Sequence, residues 1–154
     1  MKSNALGKPV LLVFVAAVVG YALVYGWIEH RRIRNGPWQI TFATTTNGAA
    51  LLVINQPALG ITNVQIVFSG TSPALTNGPQ VLSFAAARVV PFDLPFGQCV
   101  FQDTTFLPGT VALNSYGHEI QLLPRVLTLD WVERPWRADE RITLEAPTKR
   151  LNSN

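Results

Sequence analysis

The sequence predicts a mainly β protein: one N-terminal transmembrane helix followed by an antiparallel β-sandwich of immunoglobulin-like type, with a small β-barrel as the alternative. Three observations lead there. A single uncharged apolar stretch, Pro9 to Ile28, stands near the start of the chain. The remainder is a series of short runs rich in Val, Ile, Phe and Thr, cut by Asn-Gly, Pro and Gly signals. No run after residue 34 combines the length and the 3.6-residue period of a long amphipathic helix. With 154 residues there is room for one ordinary domain and not for two independent cores.

The apolar stretch reads PVLLVFVAAVVGYALVYGWI. As a helix rising about 1.5 Å per residue it spans roughly 30 Å, the thickness of a bilayer's hydrocarbon core. A cleavable signal peptide has a shorter apolar region and a small-residue cleavage site before polar sequence. Here the stretch runs directly into Glu29-His30-Arg31-Arg32, so an uncleaved anchor is expected. Tyr21, Tyr25 and Trp27 gather toward one end, as amphipathic rings do at a membrane–water boundary, and Arg31, Arg32 and Arg34 lie just beyond. These six residues form the expected membrane-anchoring set. Ala16 and Gly20 stand four apart, a spacing that lets another helix approach closely, although small residues are common in membrane helices for simpler reasons.

Lys2, Lys8 and the terminal amine nearly balance the three arginines on the other flank, so the distribution of positive charge leaves the orientation open. A short tail ahead of a β-rich body favours a body outside the cytoplasm, in a periplasm-like compartment. The expected organisation is a short tail at 1–8, a membrane helix at 9–28 and a basic juxtamembrane linker at 29–37. A β-sandwich at 38–145 and a C-terminal tail at 146–154 complete it.

A net charge of +3 and a pI near 9.4 invite a nucleic-acid reading until the charges are placed. Residues 1–34 hold five basic side chains against Glu29 alone, whereas residues 35–154 hold seven basic and eight acidic ones. The body therefore lacks the basic footprint that phosphate backbones require, and no nucleic-acid partner is expected. From residue 35 to 124 the only charges are Arg88, Asp93, Asp103 and Glu119. Surface so poor in charge is either a Thr, Asn, Gln and Ser surface or one that something covers.

Along the body, Trp38–Thr45 alternates Trp38, Ile40 and Phe42 against Gln39, Thr41 and Ala43, the two-residue period of a half-buried strand. Asn47-Gly48 signals a hairpin, with Ala49–Asn55 as the return strand. Ile61–Ser69 puts Val64, Ile66 and Phe68 on one face and Asn63 and Gln65 on the other. The segment from Val81 to Val90 fits a strand or a short helix. Gln98–Gln102, Thr110–Ser115, His118–Leu123, Val126–Val132 and Arg141–Glu145 each fit a strand, with Pro108-Gly109 and Tyr116-Gly117 as turns. Eight or nine such strands argue for a sandwich or barrel.

Chemistry-bearing residues are few. Cys99 is the one cysteine, so no intramolecular disulfide exists, and its parity with Phe101 places it on an apolar face as a buried thiol. His118 is the one histidine of the body, and it shares a face with Ile120 and Leu122 while Glu119 points away. That arrangement reads as a structural histidine. Ser115, His118 and Asp130 supply the types of a Ser-His-Asp site if the fold brings them together. No CxxC, HExxH, G-x-S-x-G, P-loop or GxGxxG occurs, and no lysine lies between Lys8 and Lys149 to serve a Ser–Lys dyad. No enzyme activity, metal or cofactor is expected on these grounds. Trp131 shares parity with Leu127 and Leu129 and is expected in the core, whereas Trp136, after a proline, is the surface candidate beside Arg134 for a docking site.

These features point to a single-pass membrane protein whose body is a structural or accessory subunit of a larger membrane complex. The expected partners are membrane lipids and other membrane subunits or a second copy. The alternative is a small anchored enzyme or metal-handling protein using Cys99 or His118, which requires those side chains in an open cleft.

Overall fold

The computed structural model describes residues 7–73 and 78–145, residues 7 and 31–34 by their backbone alone. Most of the expected N-terminal tail, and all of the tail at 146–154, lie outside the described residues. The chain divides into two compact units after Arg34.

The first unit is a helix, α1, whose bounds are Gly7–Asn35. Its stretch Lys8–His30, 23 residues with a mean hydropathy of 2.3, is long and apolar enough to cross a membrane. The large apolar side chains from Val10 to Trp27 are exposed all round it, unlike those of a soluble protein's core helix. The segment expected as a linker at 29–37 is helical as far as Asn35. Nothing in Glu29–Asn35 breaks a helix, and the break comes where Gly36 adopts a left-handed φ of 66° with Pro37 behind it.

Among the described residues the second unit contains eleven strands in two sheets. The first sheet is built from β1 (Gln39–Thr44), β2 (Ala50–Gln56), β3 (Ile61–Ser69), β4 (Gln80–Ser83) and β11 (Arg141–Glu145), in the order β11-β3-β2-β1-β4. The second holds β5 (Phe92–Leu94), β6 (Gly97–Gln102), β7 (Val111–Ser115), β8 (His118–Leu122), β9 (Val126–Leu129) and β10 (Val132–Pro135), side by side in chain order. All pairings are antiparallel except β11 on β3. Six consecutive strands in one meander do not reproduce the immunoglobulin strand order, in which the chain alternates between sheets.

One core joins the sheets. Trp38, Ile40, Phe42, Leu52, Ile54, Ile66 and Phe68 of the first and Cys99, Val111, Leu113, Ile120, Leu122 and Leu127 of the second are at most 1% exposed and belong to a single cluster. Phe42 meets Phe96 edge to face with ring centroids 5.6 Å apart. The alternating faces read from β1 and β3 are those found, because a half-buried strand shows its burial directly in its period.

Three elements depart from expectation. Only Gln80–Ser83 of the ambiguous 81–90 segment is a strand, and the chain then loops to the short β5, which Pro91 and Pro95 confine to three residues. A register shift between Cys99 and Phe101 opposes Cys99 to Leu113 but Phe101 to Ala112. The two side chains therefore part: Cys99 is fully buried and Phe101 is 50% exposed. Finally, the run expected as one strand from Val126 to Val132 is two strands folded at Asp130 and Trp131.

The first residues of the body are held by buried polar bonds. Gln56, 1% exposed, donates from Nε2 to the carbonyls of Gly36 and Pro37 at 3.1 and 3.0 Å, and its Oε1 accepts from the Ala58 amide at 3.1 Å. Trp38 donates from Nε1 to the Gly109 carbonyl at 3.0 Å and packs its ring on Trp136, centroids 5.3 Å apart.

Candidate functional site

The turn between β9 and β10 carries the most unusual surface of the body. Asp130 and Trp131 have φ values of 49° and 68°, the pair of left-handed residues that a tight two-residue hairpin requires. Asn-Gly usually fills such turns, and a bulky residue at positive φ costs about 1 kcal/mol or more. Trp131 is nevertheless there, 77% exposed, with Val132 beside it at 60%. The expectation that Trp131 belongs to the core is therefore corrected. Its parity with Leu127 and Leu129 ends at the turn, and the tryptophan becomes the tip of the hairpin.

Trp136 is corrected in the opposite sense. It is half-buried against the core, stacked on Trp38, and its Nε1 donates to the Leu123 carbonyl at 2.8 Å. Arg134 is exposed on β10, as a docking residue needs to be. Trp131 and Val132, not Trp136, are thus the apolar neighbours of Glu133 and Arg134.

The turn is braced from beneath. Asp130 Oδ1 accepts from the Glu119 amide at 2.9 Å, the Asp130 amide donates to the Glu119 carbonyl at 2.9 Å, and Asp130 Oδ2 lies 2.6 Å from His118 Nδ1. Burial alone would raise the Asp130 carboxyl. The bonds from His118 and the Glu119 amide, with the charge of the imidazole, outweigh it and hold the carboxyl below its ordinary value. His118 Nε2 faces the backbone carbonyl of Glu145, at the end of β11, at 2.8 Å. The ring also packs near Phe68 of β3, centroids 6.1 Å apart. His118 therefore bridges the two sheets, the structural role expected of it.

Ser115 lies opposite His118 in the β7–β8 register, so the fold brings Ser115, His118 and Asp130 together. It does not align them for nucleophilic attack. The nitrogen that would take a serine proton is bonded to Glu145, and Ser115 Oγ is buried with no hydrogen-bond partner. Cys99 is fully buried, its Sγ 3.4 Å from the Phe101 carbonyl, and its burial raises the thiol's pKa against the opposing effects of that bond and of Arg88. Cys99 is thus closed off in the core, and both ring nitrogens of His118 are engaged with Asp130 and Glu145. Among the described residues no three His, Cys, Asp or Glu side chains gather as a metal site would need. Cys99 is expected to resist a maleimide in the folded protein and to react within minutes in denaturant; rapid labelling under native conditions would contradict its burial.

The charge-poor stretch forms a neutral sheet face. On the outer side of the first sheet, Val81, Thr41, Val53 and Gln65 align in one row, and Ala43, Leu51, Val67 and Thr143 in the next. Arg141, opposite Gln65 at the β11 edge, is the charge that borders these rows.

In the helix, Tyr21 and Tyr25 stack with centroids 6.2 Å apart, and both are exposed with Trp27. Gly20 has open space around its Cα, and Ala16 and Gly20 line one exposed side with Leu12, Val19 and Leu23. The side chains of Arg31, Arg32 and Arg34 lie outside the described residues. What fold and site define is thus a mainly β body of two sheets preceded by an apolar helix. Set against protein-family models, curated sequences and solved structures, the chain has no match.

Proposed function

We propose that this protein is a single-pass membrane protein whose body, a two-sheet sandwich, acts as an accessory subunit of a larger membrane complex. The helix supplies residence in the bilayer, with lipids as its first partners and the Ala16/Gly20 side available to a neighbouring helix. The body lies on the extracytoplasmic side and supplies contact surface. The observation that carries the reading is Trp131. A bulky aromatic held exposed in a costly backbone conformation, next to Val132 and Arg134, is the composition of a binding hot spot.

In native membranes solubilised with mild detergent, the chain is expected to migrate well above its 16.9 kDa mass and to crosslink to other subunits or to itself. Trp131→Ala is expected to weaken that association about thirtyfold, the effect of losing a hot spot of about 2 kcal/mol. Because the side chain is exposed, the fold should change by less than about 0.5 kcal/mol. A chain that stays monomeric under crosslinking, or an association indifferent to Trp131→Ala, would overturn the proposal.

A further inference from the structure

The hydrogen bonds of His118 do not balance for a neutral ring. Nδ1 faces Asp130 Oδ2 at 2.6 Å and Nε2 faces the Glu145 carbonyl oxygen at 2.8 Å. A carboxylate and a carbonyl only accept, and a neutral imidazole carries one N–H. With a neutral ring one of the two contacts would set lone pair against lone pair. Both bonds form together only when the ring carries a hydrogen on each nitrogen.

We infer that the contact between His118, Asp130 and Glu145 is a proton-operated clasp, closed when the ring holds both protons and opened at the end of β11 when one leaves. The Asp130 bond persists on deprotonation, since it is the shorter contact and the carboxylate is further oriented by the Glu119 amide. The Glu145 bond is the one lost. Its loss matters because β11 is an edge strand with a single neighbour, β3, whose pairing ends at Glu145 opposite Ser69. Ser69 Oγ donating to the Leu144 carbonyl at 3.1 Å is the other side-chain bond there among the described residues. An edge strand's end is where a protein opens at least cost.

Among the described residues, the surroundings of the ring contain no second charge able to replace this proton. On β8 itself Glu119 sits on the opposite face, in register with Asn114. From β3 the facing group is the Phe68 ring, and from the β7–β8 turn Tyr116 packs on Phe68, its phenol raised by burial. From β7 the opposite residue is Ser115, and from β11 it is the Glu145 backbone, whose side chain is exposed. Asp130 supplies the carboxylate bonded to the ring. The bonds from His118 and the Glu119 amide hold that carboxyl below its ordinary value, which keeps it an acceptor in both contacts.

The test is backbone amide exchange of β11 in the full chain, in detergent, from about pH 5 to 8, the range over which imidazoles titrate, corrected for intrinsic rates. Protection of the Leu144 and Glu145 region is expected to fall about tenfold with rising pH, the size of a charge-assisted bond. Selective 15N-histidine labelling reads the ring directly, and loss of the second ring proton should coincide with the fall. Asp130→Asn separates this from a merely structural role. The carboxamide it introduces donates to a neutral Nδ1, leaves the Nε2 proton for Glu145, keeps an oxygen for the Glu119 amide and tolerates the left-handed φ. In that variant β11 should stay protected throughout with no pH dependence. A flat wild-type profile, a fall out of step with the ring proton, or an unchanged slope in Asp130→Asn would each overturn the inference.

Discussion

Replacing Trp38 by alanine is expected to destabilise the body by about 4 kcal/mol, a large share of the stability of a domain this size. The side chain is fully buried immediately before β1, where the chain enters the fold. Removing it empties the volume between the sheets, strands the Gly109 carbonyl that accepts from its Nε1, and exposes the face of Trp136 that rests on it. The neighbours do not collapse into the space, because Ile40 is held in the ladders of β1 with β2 and β4, and Phe84 by its amide bond to the Trp38 carbonyl. Denaturant unfolding of the full chain, followed by far-ultraviolet circular dichroism so that the lost tryptophan does not alter the signal, measures the effect. A loss below about 2 kcal/mol would mean that Trp38 does not fill the space between the sheets.

Gly109→Ala is expected to cost about 3 kcal/mol, for a reason unrelated to cavity volume. A Cβ at Gly109 would overlap the Asp103 carbonyl oxygen, and the residue has a φ of 66° that side chains resist. The loop that Gly109 closes is tied at its base by the Asp103 amide bonded to the Thr110 carbonyl at 2.8 Å, so the backbone cannot step aside without breaking that bond. The displaced Gly109 carbonyl would also leave Trp38. The two substitutions therefore share a partner, and the double variant should lose about 1 kcal/mol less than the sum of the singles. Strict additivity would show that the Trp38–Gly109 bond does not contribute.

Those two residues differ in how readable they were. Trp38 belongs to an alternating run, and its burial follows from the period alone. Gly109 sits in a Pro-Gly turn that marks a loop but not the Asp103 carbonyl that forbids a side chain there. His118 was legible as an inward-facing structural residue, since Ile120 and Leu122 share its parity. Its clasp was not, because Asp130 and Glu145 reach it from a turn and from a strand of the other sheet.

The tryptophans show the limit most clearly. Parity is a rule within one strand, and it fails wherever the backbone changes direction or gains a residue. Counting parity through Asp130 puts Trp131 in the core, but Asp130 is where the strand ends. Counting through Val100 puts Phe101 beside Cys99, but the bulge there turns it to the other face. Trp136, outside any regular run, had no period to read, and its burial is decided by Trp38 lying across from it.

Residue order alone was enough for the apolar helix, the β character of the body, the inward faces of β1 and β3, the absence of an intramolecular disulfide and the near-neutrality of the stretch to residue 124. Each of these is a local property: hydropathy over one helix length, a two-residue period, a count of cysteines or of charges. Folding in three dimensions was needed to decide that the strands form two sheets, one of them a six-strand meander, that the exposed tryptophan is Trp131, and that His118 joins Asp130 to the end of β11. Those outcomes depend on which segments meet across the core, and chain-distant contacts leave no period in the residues that make them.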